Sequence, residues 1–102
     1  MLESLAPERV FHYFEKICSI PHGSGNTDKI RAFCVNFAAE HGLEHTFDKH
    51  NNVLIRKKAS RGYENHPPVI LQGHMDMVCE KEPSCTLNME QDGLQLKLED
   101  GI

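Results

Sequence analysis

The sequence predicts an α/β domain in which helices flank a mixed, mostly parallel sheet. Two segments repeat apolar residues at helical spacing, and an unbroken apolar run, Val69 to Leu71, is typical of a strand buried on both faces of a parallel sheet. A chain of 102 residues can form one small domain but not a large enzyme by itself. We therefore interpret residues 1–102 as one compact portion of a domain.

Two helices are predicted in the first half of the chain. Pro7 suits a first helical turn, and the spacing predicts a first helix over about 7–19, with an apolar face of Val10, Phe11, Phe14, Ile17 and Cys18. A second helix is predicted over about 27–41, with a buried stripe of Ile30, Phe33, Cys34, Phe37 and Ala38. The loop IPHGSGN, 20–26, should cap this helix through Asn26 or a neighbour, and Gly42 should end it.

Short strands are predicted in the rest of the chain, at 46–49, 53–58, 68–74 and 94–99. The first two are joined by HNN, 50–52, whose residues favour a turn. The last strand signal is followed by no further element before Ile102. We interpret this ending as the truncation of a longer protein, and we expect an exposed sheet edge to favour self-association.

Composition argues against several classes of partner. The net charge is −4, with acidic and basic residues interspersed, so neither nucleic acid nor a membrane surface is expected to bind. No signal peptide or membrane span is evident, which predicts a cytoplasmic protein. The four cysteines include no CxxC pair; Cys18 and Cys34 are predicted to be reduced core thiols, while Cys79 and Cys85 are left unassigned.

The segment QGHMDMV, 72–78, carries the clearest chemical signal. In an extended backbone His74 and Asp76 would face the same side, as a metal ligand and the carboxylate that orients its ring do. The preceding apolar run would deliver the pair to the carboxyl end of a strand, where ligands bind in open α/β sheets. A histidine at the surface end of a strand is the alternative interpretation.

Two other motifs compete with this pair. HGLEH, 41–45, matches the HxxEH string of inverted zinc peptidases, but that site needs one continuous helix, which Gly42 should interrupt. The glycines of PHGSGN could suggest a phosphate cradle, but no Lys-Ser/Thr follows, so a capping loop is favoured. His22, within this loop, is kept as a residue near a substrate site, whereas His12, His50 and His66 are interpreted as surface or satisfied histidines.

The ordered series IPHGSGN, EHGLE, NNVLIRKKAS and GYENHPPVILQGHMDMVCEK resembles the N-terminal part of the aminoacyl-histidine dipeptidases, also called Xaa-His dipeptidases or peptidase D. This family belongs to the co-catalytic zinc clan of aminopeptidases and carboxypeptidases. The resemblance covers about residues 5–82, and several of its motifs occur in the family's order.

The resemblance implies that His74 is a ligand of one Zn²⁺ in a two-zinc site and that Asp76 is a catalytic residue that orients it. Two zincs would polarise a dipeptide carbonyl and hold a hydroxide, with a glutamate moving the proton. The bridging aspartate, the glutamate and the other ligands come later in family members and are assigned to no residue of this chain, including Asp92 and Asp100. The fragment alone is therefore expected to be inactive.

Two functions remain open at this point. One is the N-terminal part of a cytosolic metallodipeptidase that cleaves unblocked dipeptides of the Xaa-His type. In the family, a smaller domain often mediates formation of a homodimer. The other is a non-catalytic binding or assembly module that keeps the peptidase fold.

Overall fold

The computed structural model describes residues 1–101, which form two helices and one two-stranded sheet. The elements are α1 (Glu8–Cys18), α2 (Asp28–Glu40), β1 (Glu44–Phe47) and β2 (Val53–Arg56). They belong to two compact units: residues 1–30 with 76–101, and residues 31–75. The division falls inside α2 and again after Met75.

In the first unit, α1 begins and ends within a residue of the predicted limits. Pro7 is its N-cap, and the Pro7 carbonyl accepts hydrogen bonds from the backbone N–H groups of Val10 and Phe11 at 3.1 and 3.3 Å. The predicted burial of its apolar face is wrong in large part. Cys18 is buried, but Val10, Phe14 and Ile17 are exposed, because the described residues leave most of that face uncovered.

Within the first unit, the C-terminal segment 76–101 packs on residues 1–30 through hydrogen bonds to its backbone. The Leu94 N–H donates to the carbonyl oxygen of Cys18 at 2.7 Å, and the Asn26 side-chain amide donates to the Glu90 carbonyl oxygen at 3.0 Å. Gly93 lies so close to the Ser19 backbone that a Cβ there would overlap it. These contacts hold the segment in place although it contains no strand.

Glycine ends α2, as predicted. Gly42 has φ +64°, the Leu43 N–H donates to the Ala38 carbonyl at 2.8 Å, and the Gly42 N–H donates to the Ala39 carbonyl at 3.1 Å. These are the two bonds of a Schellman motif, which satisfies carbonyls that the helix end would otherwise leave unpaired. Of the predicted apolar stripe, Ile30 and Ala38 are buried, and the other three residues are half-buried.

In the second unit, β1 and β2 form an antiparallel hairpin in which Glu44 pairs with Arg56 and Phe47 with Val53. Asp48 closes its loop by accepting the backbone N–H groups of His50 and Asn52 at 2.8 and 3.0 Å. The hydrogen bond from the Asn52 side chain is the largest cause that lowers the pKa of the Asp48 carboxyl, and the bond from the Asn52 backbone N–H adds to it. Arg31 of α2 lies 4.4 Å from the centre of the Phe47 ring, a cation–π contact that ties helix to hairpin.

The prediction of a mostly parallel sheet is not confirmed. The sheet of residues 1–101 is antiparallel, and parallel pairing is limited there to one bridge between Gly23 and Met77. The prediction of strands at 68–74 and 94–99 is wrong, since neither segment forms a strand in the structure. A doubly buried strand needs neighbours on both edges and cover on both faces, yet Val69, Ile70 and Leu71 are 85, 85 and 92% exposed.

The cysteines are all free thiols. Burial raises the pKa of the Cys18 and Cys34 thiols, which keeps both protonated at neutral pH. The Cys34 Sγ lies 3.7 Å from the Met75 sulfur. Cys18 is buried, as expected of a core thiol, whereas Cys34, for which the same was predicted, is only half-buried.

We expect Gly42→Ala to lower the free energy of unfolding by about 1 kcal/mol, because a Cβ is unfavourable in left-handed backbone. Gly73→Ala is the matched control, since Gly73 has no positive φ and a Cβ added to it would meet no atom within 4 Å. Urea unfolding of both variants measures the difference. If Gly42→Ala and Gly73→Ala lower the free energy of unfolding equally, the role of Gly42 in ending α2 is contradicted.

The exposed run Val69–Leu71 should make the isolated chain self-associate as its concentration rises, because unpaired apolar backbone is a template for strand pairing. Ile70→Lys should restore monomers by placing a charge within the run. Lys58→Glu, outside the run, is the control. Sedimentation velocity over a concentration series measures the effect, and a chain that stays monomeric throughout would contradict the expectation.

Candidate active site

The loop between the helices contains a tight turn that positions Ser24. The Asn26 N–H donates to the Gly23 carbonyl at 2.8 Å, and Gly25 has φ +78°. Positive φ at the third of four residues is the pattern of a type II turn, where glycine is favoured. Ser24 therefore occupies the second position of a turn whose geometry glycine stabilises.

Met77 joins this loop to the HMD segment, residues 74–76. Its N–H donates to the His22 carbonyl and its carbonyl accepts the Ser24 N–H, both at 3.0 Å, which makes the parallel bridge between Gly23 and Met77. Gly23 is buried at this crossing, and a Cβ on it would overlap the Cys79 sulfur. A glycine is needed here for close approach of the two backbones.

The same pairing brings Ser24 to Asp76. The Ser24 hydroxyl donates to the Asp76 Oδ2 at 2.6 Å, a bond between residues 52 positions apart. That length is typical of a hydroxyl donating to an ionised carboxylate, which is stronger than a bond between neutral groups. Asp76 is half-buried and Ser24 is exposed, so the bond lies at the surface of the first unit.

His74 lies in the second unit, in the irregular segment that precedes Asp76, and its residue is exposed. The predicted strand that would have presented both side chains on one face does not form in this chain. The roles of His74 as metal ligand and of Asp76 as its orienting carboxylate therefore stay predictions.

His22, which the sequence predicts near a substrate site, lies close to the crossing of the loop with Met77. Its Nδ1 is 2.6 Å from the Ile20 carbonyl oxygen, and since a carbonyl only accepts, Nδ1 donates in this bond. The half-buried ring lines a small cavity with Met77, Cys79 and Asp92. Its place near a substrate site stays a prediction.

A larger open groove borders the turn. It has a volume of about 550 Å³ and is lined by residues 23–26, Cys79 and 89–91. Ser24 thus faces two features of the first unit, the Asp76 carboxylate and this groove. Its part in the site has no sequence signal beyond a serine between two glycines, since the contact depends on a residue in another segment.

The HxxEH interpretation fails on the helix break at Gly42. His41 follows the last residue of α2, with its Nδ1 2.8 Å from the Phe37 carbonyl, whereas His45 lies in β1 with its Nδ1 3.0 Å from the Leu43 carbonyl. Among residues 1–101, moreover, no three His, Cys, Asp or Glu side chains group closely enough to hold a metal ion. The described chain accordingly does not form a complete zinc site.

Comparison with known proteins gives a consistent result. The chain is 39% identical over 94 residues, or 92% of its length, to the cytosol non-specific dipeptidase of Escherichia coli strain K12. The crystal structure of aminoacylhistidine dipeptidase from Vibrio alginolyticus matches 98% of the chain with a TM-score of 0.91 and 35% identity. The resemblance to the aminoacyl-histidine dipeptidases is confirmed.

Only part of an aminoacyl-histidine dipeptidase corresponds to this chain. This chain spans 19% of the length of the Escherichia coli relative and 20% of the length of the Vibrio alginolyticus chain. No protein-family model matches it. Within residues 1–101, no helix has the length and apolar character needed to cross a bilayer.

Proposed function

We propose that these residues are the N-terminal part of the catalytic domain of a cytosolic metallodipeptidase that hydrolyses unblocked dipeptides of the Xaa-His type. The identity to a dipeptidase, 39% over 92% of this chain, is the observation that carries the proposal. The relative's description as a cytosol protein supports the cytoplasmic location. Homodimer formation is part of the proposal for the complete protein only.

In this proposal His74 binds one Zn²⁺ through a ring nitrogen, and Asp76 orients the ring. Neutral imidazole is a common zinc ligand and usually donates its second N–H to a carboxylate or carbonyl. His74 is an exposed residue. In this proposal the remaining ligands and the general base belong to other parts of a longer protein.

The isolated 102-residue chain should therefore show no dipeptide turnover, even with added zinc. A hydrolytic two-zinc site needs several ligands to fix the metal geometry, and a single histidine leaves zinc mostly hydrated. Release of histidine from alanyl-histidine, followed by chromatography, measures this. Turnover by the chain that His74→Ala abolishes would contradict the expectation.

A binding or assembly module is the second candidate. The exposed apolar run Val69–Leu71 favours it, because such a run pairs readily with another strand. The two functions differ in the mass of the protein in its native source, which an antibody to this segment can capture. A protein several times longer supports the dipeptidase, and one near the mass of these 102 residues supports the module.

The dipeptidase proposal is tested on the protein at its natural length. We expect hydrolysis of alanyl-histidine, and a loss of kcat/KM of more than about 100-fold in His74→Ala, since the loss of outer-shell partners alone costs about 10- to 100-fold. His66→Ala is the matched control, because His66 is also an exposed histidine of the second unit and its ring lies against Tyr63. An inactive wild type, or equal activity in His74→Ala, would overturn the proposal.

A further inference from the structure

The IPHGSGN loop, 20–26, contacts the segment that carries Asp76 through a side chain as well as through its backbone. Its Ser24 hydroxyl is the group that donates to Asp76 Oδ2 at 2.6 Å, across 52 residues of sequence. The same hydroxyl also makes a longer contact, 3.5 Å, with the Met77 carbonyl oxygen. The contact is part of the first unit and does not depend on the placement of the second.

The backbone around Ser24 is fixed from two directions. The type II turn sets its dihedral angles through the bond from Asn26 N–H to Gly23 carbonyl. The two backbone hydrogen bonds of Met77, with His22 and with Ser24, set the register of the loop against the segment that carries Asp76. A hydroxyl held in this way approaches one carboxylate oxygen with little further loss of conformational entropy.

A hydrogen bond on one oxygen also orients the other. A carboxylate rotates about its Cβ–Cγ bond unless a partner restrains it, so a donor on Oδ2 determines where Oδ1 points. In a metal site the partners of a ligating histidine orient its ring, and their loss reduces metal affinity or activity by about 10- to 100-fold. Ser24 in turn donates a hydrogen bond to Asp76, the residue predicted to be such a partner of His74.

We propose that Ser24 is a positioning residue for the proposed dipeptidase reaction, which acts by holding the Asp76 carboxylate in the orientation that His74 requires. This inference rests on the proposed function of His74 and Asp76. It assigns the glycine-flanked serine of the IPHGSGN loop to the active site. Ser24 itself touches neither the metal ligand nor the reacting peptide bond in this role.

The competing role is direct contact with substrate, because Ser24 also lines the groove of about 550 Å³. The two roles differ in the kinetic constant that they affect. Loss of a substrate contact made equally in ground and transition state raises KM, whereas loss of catalytic geometry lowers kcat. They also differ in whether the effect requires Asp76.

The test uses the protein at its natural length with alanyl-histidine as substrate. We expect Ser24→Ala to lower kcat about 10-fold with KM changed less than about twofold, and Ser24→Thr, which keeps a hydroxyl, to recover most of kcat. In an Asp76→Asn background, Ser24→Ala should cause no further loss. Ser19→Ala is the matched control, since it removes an exposed hydroxyl bonded to the Lys16 carbonyl in the same unit.

Several outcomes would overturn the inference. A raised KM at constant kcat assigns Ser24 to substrate binding, and unchanged kinetics beside an inactive His74→Ala variant reject the role of Ser24 while the proposed function stands. If Ser24→Ala lowers kcat by the same factor in the Asp76→Asn background as in the wild type, Ser24 does not act through Asp76. An inactive wild type overturns the dipeptidase function and this role together.

Thermal unfolding tests the contact separately from activity. If the bond forms, the midpoints of Ser24→Ala, Asp76→Ala and the double variant should be non-additive, with the double variant little worse than the worse single one. Additive shifts would show that the bond is absent in solution, which overturns the inference whatever the kinetics. Ser19→Ala combined with Asp76→Ala should be additive and serves as control.

Discussion

The pairing of Met77 with the loop at His22 and Ser24 is the constraint on which the first unit depends. Two backbone hydrogen bonds of 3.0 Å join segments more than 50 residues apart, so the chain must close a long loop to make them. Gly23 permits the crossing because the Cys79 sulfur occupies the place of a side chain. The loop, Asp76 and the C-terminal segment thereby become parts of one unit.

The hydrophobic core of the described residues is small. Leu2, Cys18, Ile30 and Ala38 are the buried apolar residues within 1–101, whereas the apolar face of α1 and the run Val69–Leu71 are largely exposed. Apolar surface of this extent is normally covered by further structure. The chain spans 19 and 20% of the length of the two relatives that it matches.

The residues of the proposed site differ in whether a sequence pattern indicates them. His74 and Asp76 are marked by their spacing behind an apolar run, and Gly42 by its position after a helical repeat. Ser24 carries no such mark, because its partner is reached only through the pairing of two distant segments. The helix break at Gly42 shows how one local conformation excludes a matching motif, HGLEH, from metal binding at a single helix face.

The sequence by itself determined the local elements: both helices to within a residue or so, the Gly42 cap, the hairpin turn and the family resemblance. Periodicity, capping and turn chemistry act between neighbouring residues, and these interactions are present in any fragment that contains them. The tertiary structure alone decided the outcome at 68–74 and 94–99, since a strand signal becomes a strand only beside a partner. It also decided the contact of Ser24 with Asp76, because hydrogen bonds between distant segments depend on register, which no local pattern contains.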